Sequence, residues 1–174
     1  MKMATNSKLQ EGFSLIELII VLLTLSIIAT IAIPNLLSAR RAANEGSAVS
    51  SLRTLHGAQM TYQTSIGGGN YAGTNGSTGD AVGLAALSSA ALIDPVLGSG
   101  TKSGYNYVGS VSLAGIGTPA TFFFSANPVS GVGVTQSGTR RYATTQTGLI
   151  GYDITNLTTA FDATTASGVT PLNN

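Results

Sequence analysis

Gly12-Phe13-Ser14-Leu15-Ile16-Glu17-Leu18-Ile19-Ile20-Val21 carries the chain from a short polar leader into a long apolar stretch with one carboxylate at its entrance. From Leu18 to Leu37 twenty consecutive residues bear no charge. At about 1.5 Å per residue a helix over that run spans roughly 30 Å, the thickness of one hydrocarbon core. Helical signals continue through Ala39-Arg40-Arg41-Ala42-Ala43-Asn44-Glu45 to about Ser65, where Gly67-Gly68-Gly69 ends any regular helix. A helix from Phe13 to Ser65 is roughly 80 Å long by its rise, far beyond the ordinary few turns, and needs continuous neighbours. In its outer half Ala48, Leu52, Leu55, Gln59, Tyr62 and Ile66 recur at alternating four- and three-residue steps. That stripe is apolar apart from Gln59 and predicts a helix face laid across a sheet.

Beyond the helix the pattern changes period. Tyr71 to Gly79 reads as a loop rich in glycine, asparagine, serine and threonine, and Leu84 to Leu92 as a short apolar helix. Strands are predicted at Gly104 to Leu113, Ala120 to Asn127, Arg140 to Gln146 and Leu149 to Ile154. Thr147-Gly148 is read as a tight hairpin joining the last pair. Tyr105, Tyr107, Val111 and Leu113 fall on one strand face, whereas Phe122-Phe123-Phe124 predicts a strand covered on both sides. The polar tail from Asp162 to Asn174 is expected to be mobile.

At 174 residues the chain holds one ordinary domain plus a long helix. Only 9% of residues are charged and the formal net charge is +1, so no broad basic field is available to bind nucleic acid. The absence of cysteine forbids disulfides and thiolate metal sites. Any fixation of the C-terminal loops must come from packing, hydrogen bonding or a bound ion.

The residues Gly12, Phe13 and Glu17, with the apolar run between and after them, resemble the N-terminal signature of type IV pilins, the class III signal sequence. The resemblance covers about the first fifty residues. It implies an α+β fold in which a long N-terminal helix, partly transmembrane, packs on a small antiparallel sheet. It implies a leader at residues 1–12, an apolar membrane and filament-core helix at 13–39, its amphipathic continuation at 40–66 and a β-rich head at 67–174. A prepilin peptidase would cut between Gly12 and Phe13 and its N-methyltransferase activity would modify Phe13. Copies of the chain would then polymerise through their helices, driven by an inner-membrane platform with a cytoplasmic ATPase. The precursor would sit in the inner membrane and the assembled chain in an extracellular pilus. The alternative is a type II secretion pseudopilin, which shares the signature and forms a periplasmic pseudopilus. Pilins often close a C-terminal loop with a disulfide, and this chain departs from that pattern.

Glu17 is the most informative position. An ionised carboxylate in the apolar layer costs on the order of 3 kcal/mol, so it needs a partner. The resemblance implies that Glu17 pairs with the freed Phe13 amine of an adjacent subunit. The plainer reading is that it complements the positive end of its own helix. Pro34 removes one amide donor and presses on the Thr30 carbonyl, which predicts either a kink or local melting, and the sequence does not separate the two. Ser26, Ala29, Thr30 and Ala32 offer small surfaces for neighbouring helices or for lipid. An ordinary secretory signal cut near Thr30-Ile31-Ala32 is disfavoured by the length of the apolar run and by Ile33-Pro34.

Lys2 and Lys8 before the helix and Arg40 and Arg41 after it leave topology undecided by charge. The resemblance implies leader inside and head outside. Arg41 and Glu45, four apart, are expected to pair. The lone His56 is read as a structural histidine, and Asp94, Asp153 and Asp162 are too scattered to name calcium ligands. No nucleophile triad, phosphate loop or metal spacing is present, so neither an enzyme nor a cofactor is expected. Aromatic residues along the helix are too few to support an electron-carrying array.

Overall fold

The computed structural model describes residues 12–76 and 78–172, so most of the predicted leader lies outside the described residues. A single helix, α1, runs from Leu15 to Ser65 with Pro34 inside it. The chain divides into two compact units, Met1–Ser38 and Ala39–Asn174.

In the first unit the described residues are almost entirely helix, and none of the most apolar eighteen-residue window of α1 is buried. By length and composition α1 is able to cross a membrane.

The second unit is an α+β domain. Six strands form one antiparallel meander in sequence order: β1 (Thr101–Lys102), β2 (Tyr105–Ser112), β3 (Thr121–Pro128), β4 (Arg141–Thr145), β5 (Ile150–Asp153) and β6 (Thr170–Pro171). Three short helices accompany them: α2 (Val82–Ser89), α3 (Pro95–Gly98) and α4 (Ala163–Ser167). The four predicted strands are present, each trimmed or shifted by about a residue at its ends.

The stripe on the outer half of α1 forms one wall of the main core. Ala48, Leu52 and Leu55 are fully buried against Tyr105, Tyr107 and Val111 of β2, Phe122 and Phe124 of β3, and Tyr142 of β4. Each buried leucine, valine or phenylalanine among them contributes about 1.5–3 kcal/mol. The period-two alternation of β3 sends Phe122 and Phe124 to this core and Phe123 to the opposite face. There Phe123 joins Ala143, Phe161 and Ala166 in a second, smaller core. The triple phenylalanine therefore marks a strand covered on both sides. Gly109 of β2 lies directly opposite Phe124, and a Cβ there would overlap the ring, so the close approach requires glycine.

Four expectations need correction. Ile66 lies past the end of α1 and is 56% exposed, because the chain turns at Gly67 before the stripe completes another step. The link between β4 and β5 is not a two-residue hairpin but residues 146–149, with the Gly148 amide donating to the Thr145 carbonyl at 3.0 Å. Gly148 has φ +76°, a left-handed conformation that glycine adopts without strain. The tail is structured as far as Leu172, since Asp162 caps α4 and Thr170–Pro171 pairs with β5, while Asn173 and Asn174 lie outside the described residues. Glu45 does not pair with Arg41; its Oε1 accepts from the Thr139 amide at 2.7 Å and hydroxyl at 2.6 Å, and its Oε2 from the Tyr142 hydroxyl at 3.0 Å. Tyr142 is held in β4 and Thr139 lies just ahead of it, so these three bonds outweigh a pair with an arginine one turn away.

Candidate assembly site

Ser14-Leu15-Ile16-Glu17 has the spacing of a helix capping box, and the geometry follows it in part. The Ser14 amide donates to Glu17 Oε2 at 3.2 Å, which satisfies one of the donors left free at the start of α1. Glu17 thus lies in the first turn, where the helix dipole also favours negative charge. This is the local partner that the plainer reading anticipates, and it engages one carboxylate oxygen. Gly12 has nothing within 4 Å of where a Cβ would stand, and Phe13 is 76% exposed, so the Gly12-Phe13 bond is open to solvent.

Along the apolar half of α1 the hydroxyls turn inward to their own backbone. Thr24 donates to the Val21 carbonyl at 2.9 Å, Ser26 to Leu22 at 2.8 Å and Thr30 to Ser26 at 2.9 Å. A helix in hydrocarbon must satisfy its polar groups internally, and these bonds do so without a neighbour. The helix continues unbroken through Pro34, which supplies no amide for the Thr30 carbonyl.

The head domain is held together by polar ties whose partners the sequence did not show. Gln59, the exception in the apolar stripe, is fully buried; its Nε2 donates to the Ala72 carbonyl at 2.7 Å and its Oε1 accepts the Ala72 amide at 2.8 Å. A buried amide in an apolar stripe was the visible signal, but its partner was not. Burial, and then the Glu45 carboxylate, push the Tyr142 and Tyr105 phenols well above the ordinary tyrosine range.

The C-terminal segment is fixed without a disulfide. Arg141 on β4 stands opposite Asp153 on β5, with Nη2 2.6 Å and Nε 3.1 Å from Asp153 Oδ2. Its Nη1 donates to the Thr159 carbonyl at 2.9 Å, and its guanidinium lies 3.9 Å from the Phe161 ring centre. Asn127 donates to the Thr158 carbonyl at 3.1 Å, and Ser125 Oγ accepts the Phe161 amide at 3.1 Å. The Thr155 amide, then Arg141 and the Thr155 hydroxyl, hold the Asp153 carboxyl well below the ordinary aspartate range. Packing and hydrogen bonding therefore provide the fixation.

The remaining candidates are dispersed. Asp94 caps α3 and pairs with Lys102 at 2.9 Å, Asp162 caps α4, and Asp153 is taken by Arg141. Among the described residues no three His, Cys, Asp or Glu side chains gather as a metal site. His56 Nε2 lies 3.3 Å from the Gln146 carbonyl, and its ring packs near Phe122. Among known proteins, no family model, curated protein or solved structure matches the chain.

Proposed function

We propose that the chain is a type IV pilin, a structural subunit that polymerises through its N-terminal helix after its leader is removed. The observation that carries this reading is the first unit of α1. Its large apolar side chains are exposed all along residues 13–36, from 41% at Ile19 to 76% at Phe13, with Glu17 in the first turn and an open Gly12-Phe13 bond ahead of it. Such a surface needs lipid before assembly and other helices afterwards.

In this mechanism the leader stays in the cytoplasm and the head faces outward. Cleavage after Gly12 turns the Phe13 amide into an amine, which is then methylated. Moving a helix from lipid to a helical core gains little from the hydrophobic effect, because lipid is itself apolar. Packing and charge neutralisation must supply the difference. Glu17 exchanges its bond to the Ser14 amide for the amine of a neighbouring Phe13, and an ATP-driven platform contributes the work of extraction. The head domains form the outer wall, and the subunit performs no covalent chemistry.

Electron microscopy of filaments sheared from cells, with mass spectrometry of the subunit, tests the proposal. Long extracellular filaments of a chain beginning at methylated Phe13 are the expected result. A chain cut at Phe13 but confined to the envelope would point to the secretion pseudopilin, and an uncut chain would overturn the filament reading.

A further inference from the structure

The two ends of the sheet differ in what surrounds them. β4 begins beside Glu45 of α1, through Tyr142, and ends beside His56, through Gln146, so it runs along α1 away from Arg40. The β3–β4 loop therefore leaves the end of the sheet nearer to Arg40. There Asn44 Nδ2 donates to the Ser137 carbonyl at 2.9 Å, and Asn44 is four residues beyond Arg40, roughly 6 Å along a helix axis. Val132 and Val134 of this loop are 78% and 75% exposed. Val129 and Ile154, at the same end of the sheet, are more than half exposed. The Ser137 amide donates to the Ser130 carbonyl at 3.0 Å and pins the loop at its base, so little ordering entropy remains to be lost when its valines are covered.

Positive charge gathers at the same end. Arg40, Arg41, Arg140 and Arg141 stand there with the carboxylates of Glu45 and Asp153. Asp153 is taken by Arg141, and Glu45 by Thr139 and Tyr142. Lys102, also at this end, is neutralised by Asp94 at 2.9 Å. No ion pair engages Arg40, Arg41 or Arg140 among the described residues, and the Arg140 guanidinium lies 5.1 Å from the Tyr152 ring centre. Arg40 and Arg140 are exposed and Arg41 is half-buried.

From Leu18 to Ala39 the chain carries no charge and Arg40 is the first cation beyond, so a membrane that holds this run has its water boundary near Arg40. Exposed aliphatic side chains on an uncharged loop, beside arginines without anionic partners, suit a bilayer surface. The apolar groups enter the acyl boundary while guanidinium groups stay at the level of the phosphates. We infer that this end of the head docks on the bilayer that holds α1, with Val132 and Val134 in the lipid interface and Arg40, Arg41 and Arg140 on phosphates of anionic phospholipids. This deepens the proposed function and rests on its membrane stage, not on the filament. Release of the head from lipid is then part of the work of extraction.

The chain has no cysteine, so an introduced thiol carries a fluorophore to one place. Ile116, fully exposed between β2 and β3 at the opposite end of the sheet, is the comparison. The full chain with Val132→Cys or Ile116→Cys is labelled, reconstituted in vesicles of phosphatidylcholine and phosphatidylglycerol, floated, and read for quenching by a nitroxide attached to lipid. Quenching at position 132 at least about threefold stronger than at 116 is expected. It should fall toward the value at 116 in phosphatidylcholine alone, or when Arg40→Gln and Arg41→Gln are added. Equal quenching at the two positions in floated vesicles overturns the docking and leaves the membrane stage standing. So does a label at 132 that is shielded from aqueous acrylamide yet untouched by the nitroxide lipid, because protein would then cover the loop. Quenching at 132 that is unchanged without anionic lipid overturns the phosphate contacts of the arginines. A chain that fails to float rejects the membrane stage itself, and the docking with it.

Discussion

Gln59 and Arg141 illustrate how single polar residues organise a head domain that has few charges. Both amide atoms of Gln59 serve the backbone of Ala72, so Gln59→Leu strands a buried donor and a buried acceptor together. We expect that variant to lose about 2 kcal/mol or more, read by urea unfolding of the full chain in detergent. A loss below about 0.5 kcal/mol would mean that Ala72 finds other partners. At Asp153 the argument concerns pH. Its carboxyl is held below the ordinary value by the Thr155 amide, Arg141 and the Thr155 hydroxyl, so the folded state binds its proton less readily than the unfolded state. The resulting stability is fully present above the unfolded aspartate pKa of about 4 and is lost as pH falls through and below it. Asp153→Asn should therefore lower the Tm at neutral pH and flatten the decline of Tm below about pH 4. Asp94 and Asp162 are shifted in the same direction and leave a residual slope. Neither Arg141 nor Glu45 was legible as a tie point. Each has its partner more than ten residues away in sequence, at a place that only the strand register fixes.

The elements divide by how local their signals are. β2 carried a period-two pattern from Tyr105 to Val111, although Leu113, read on the same face, lies past the end of the strand and is 48% exposed; β3 was marked by its phenylalanine run, β4 and β5 by flanking stops, and the stripe on α1 was readable from Ala48 to Gln59. The two-residue strands β1 and β6 and the short helices α3 and α4 had too few residues to show a period, and their existence depends on neighbours. For α4 the decisive contact is Phe161, 3% exposed between Phe123 and the Arg141 guanidinium. Phe161→Ala should cost about 3–5 kcal/mol and abolish hydrogen-exchange protection across residues 163–167. Retained protection there would show that the capping box of Asp162 suffices for α4. In the β4–β5 turn, Gly148→Ala forces a side chain into a left-handed conformation beside the His56 ring. A loss of about 1–2 kcal/mol in thermal unfolding is expected, and an unchanged Tm would mean that the turn has rearranged.

On the scale of the whole molecule, the chain joins a helix that lacks a core of its own to a domain with cores on both faces of its sheet. If assembly depends on neutralising the carboxylate, Glu17→Lys should reduce sheared filaments at least about tenfold while the chain still inserts in the membrane, measured by quantitative blotting of sheared and membrane fractions. Equal yields would mean that Glu17 only caps its own helix. If the leader is cut after Gly12 as proposed, replacing Gly12 by valine should block processing and leave a chain heavier by the leader, seen directly by mass spectrometry. The α+β class, the span of α1 and the alternating faces of the central strands follow from the sequence alone, because hydrophobic period, chain length and backbone stops are local properties. Local patterns also place Glu17 in the first turn and leave the apolar half of α1 without a hydrophilic face. Only the tertiary structure decided that the tail covers the second face of the sheet, that Glu45 binds Thr139 and Tyr142 rather than Arg41, and that Arg141 ties β4 to Asp153 and to the Thr159 carbonyl. Those outcomes compare distant partners competing for one group, and the winner is set by the register of strands far apart in the chain.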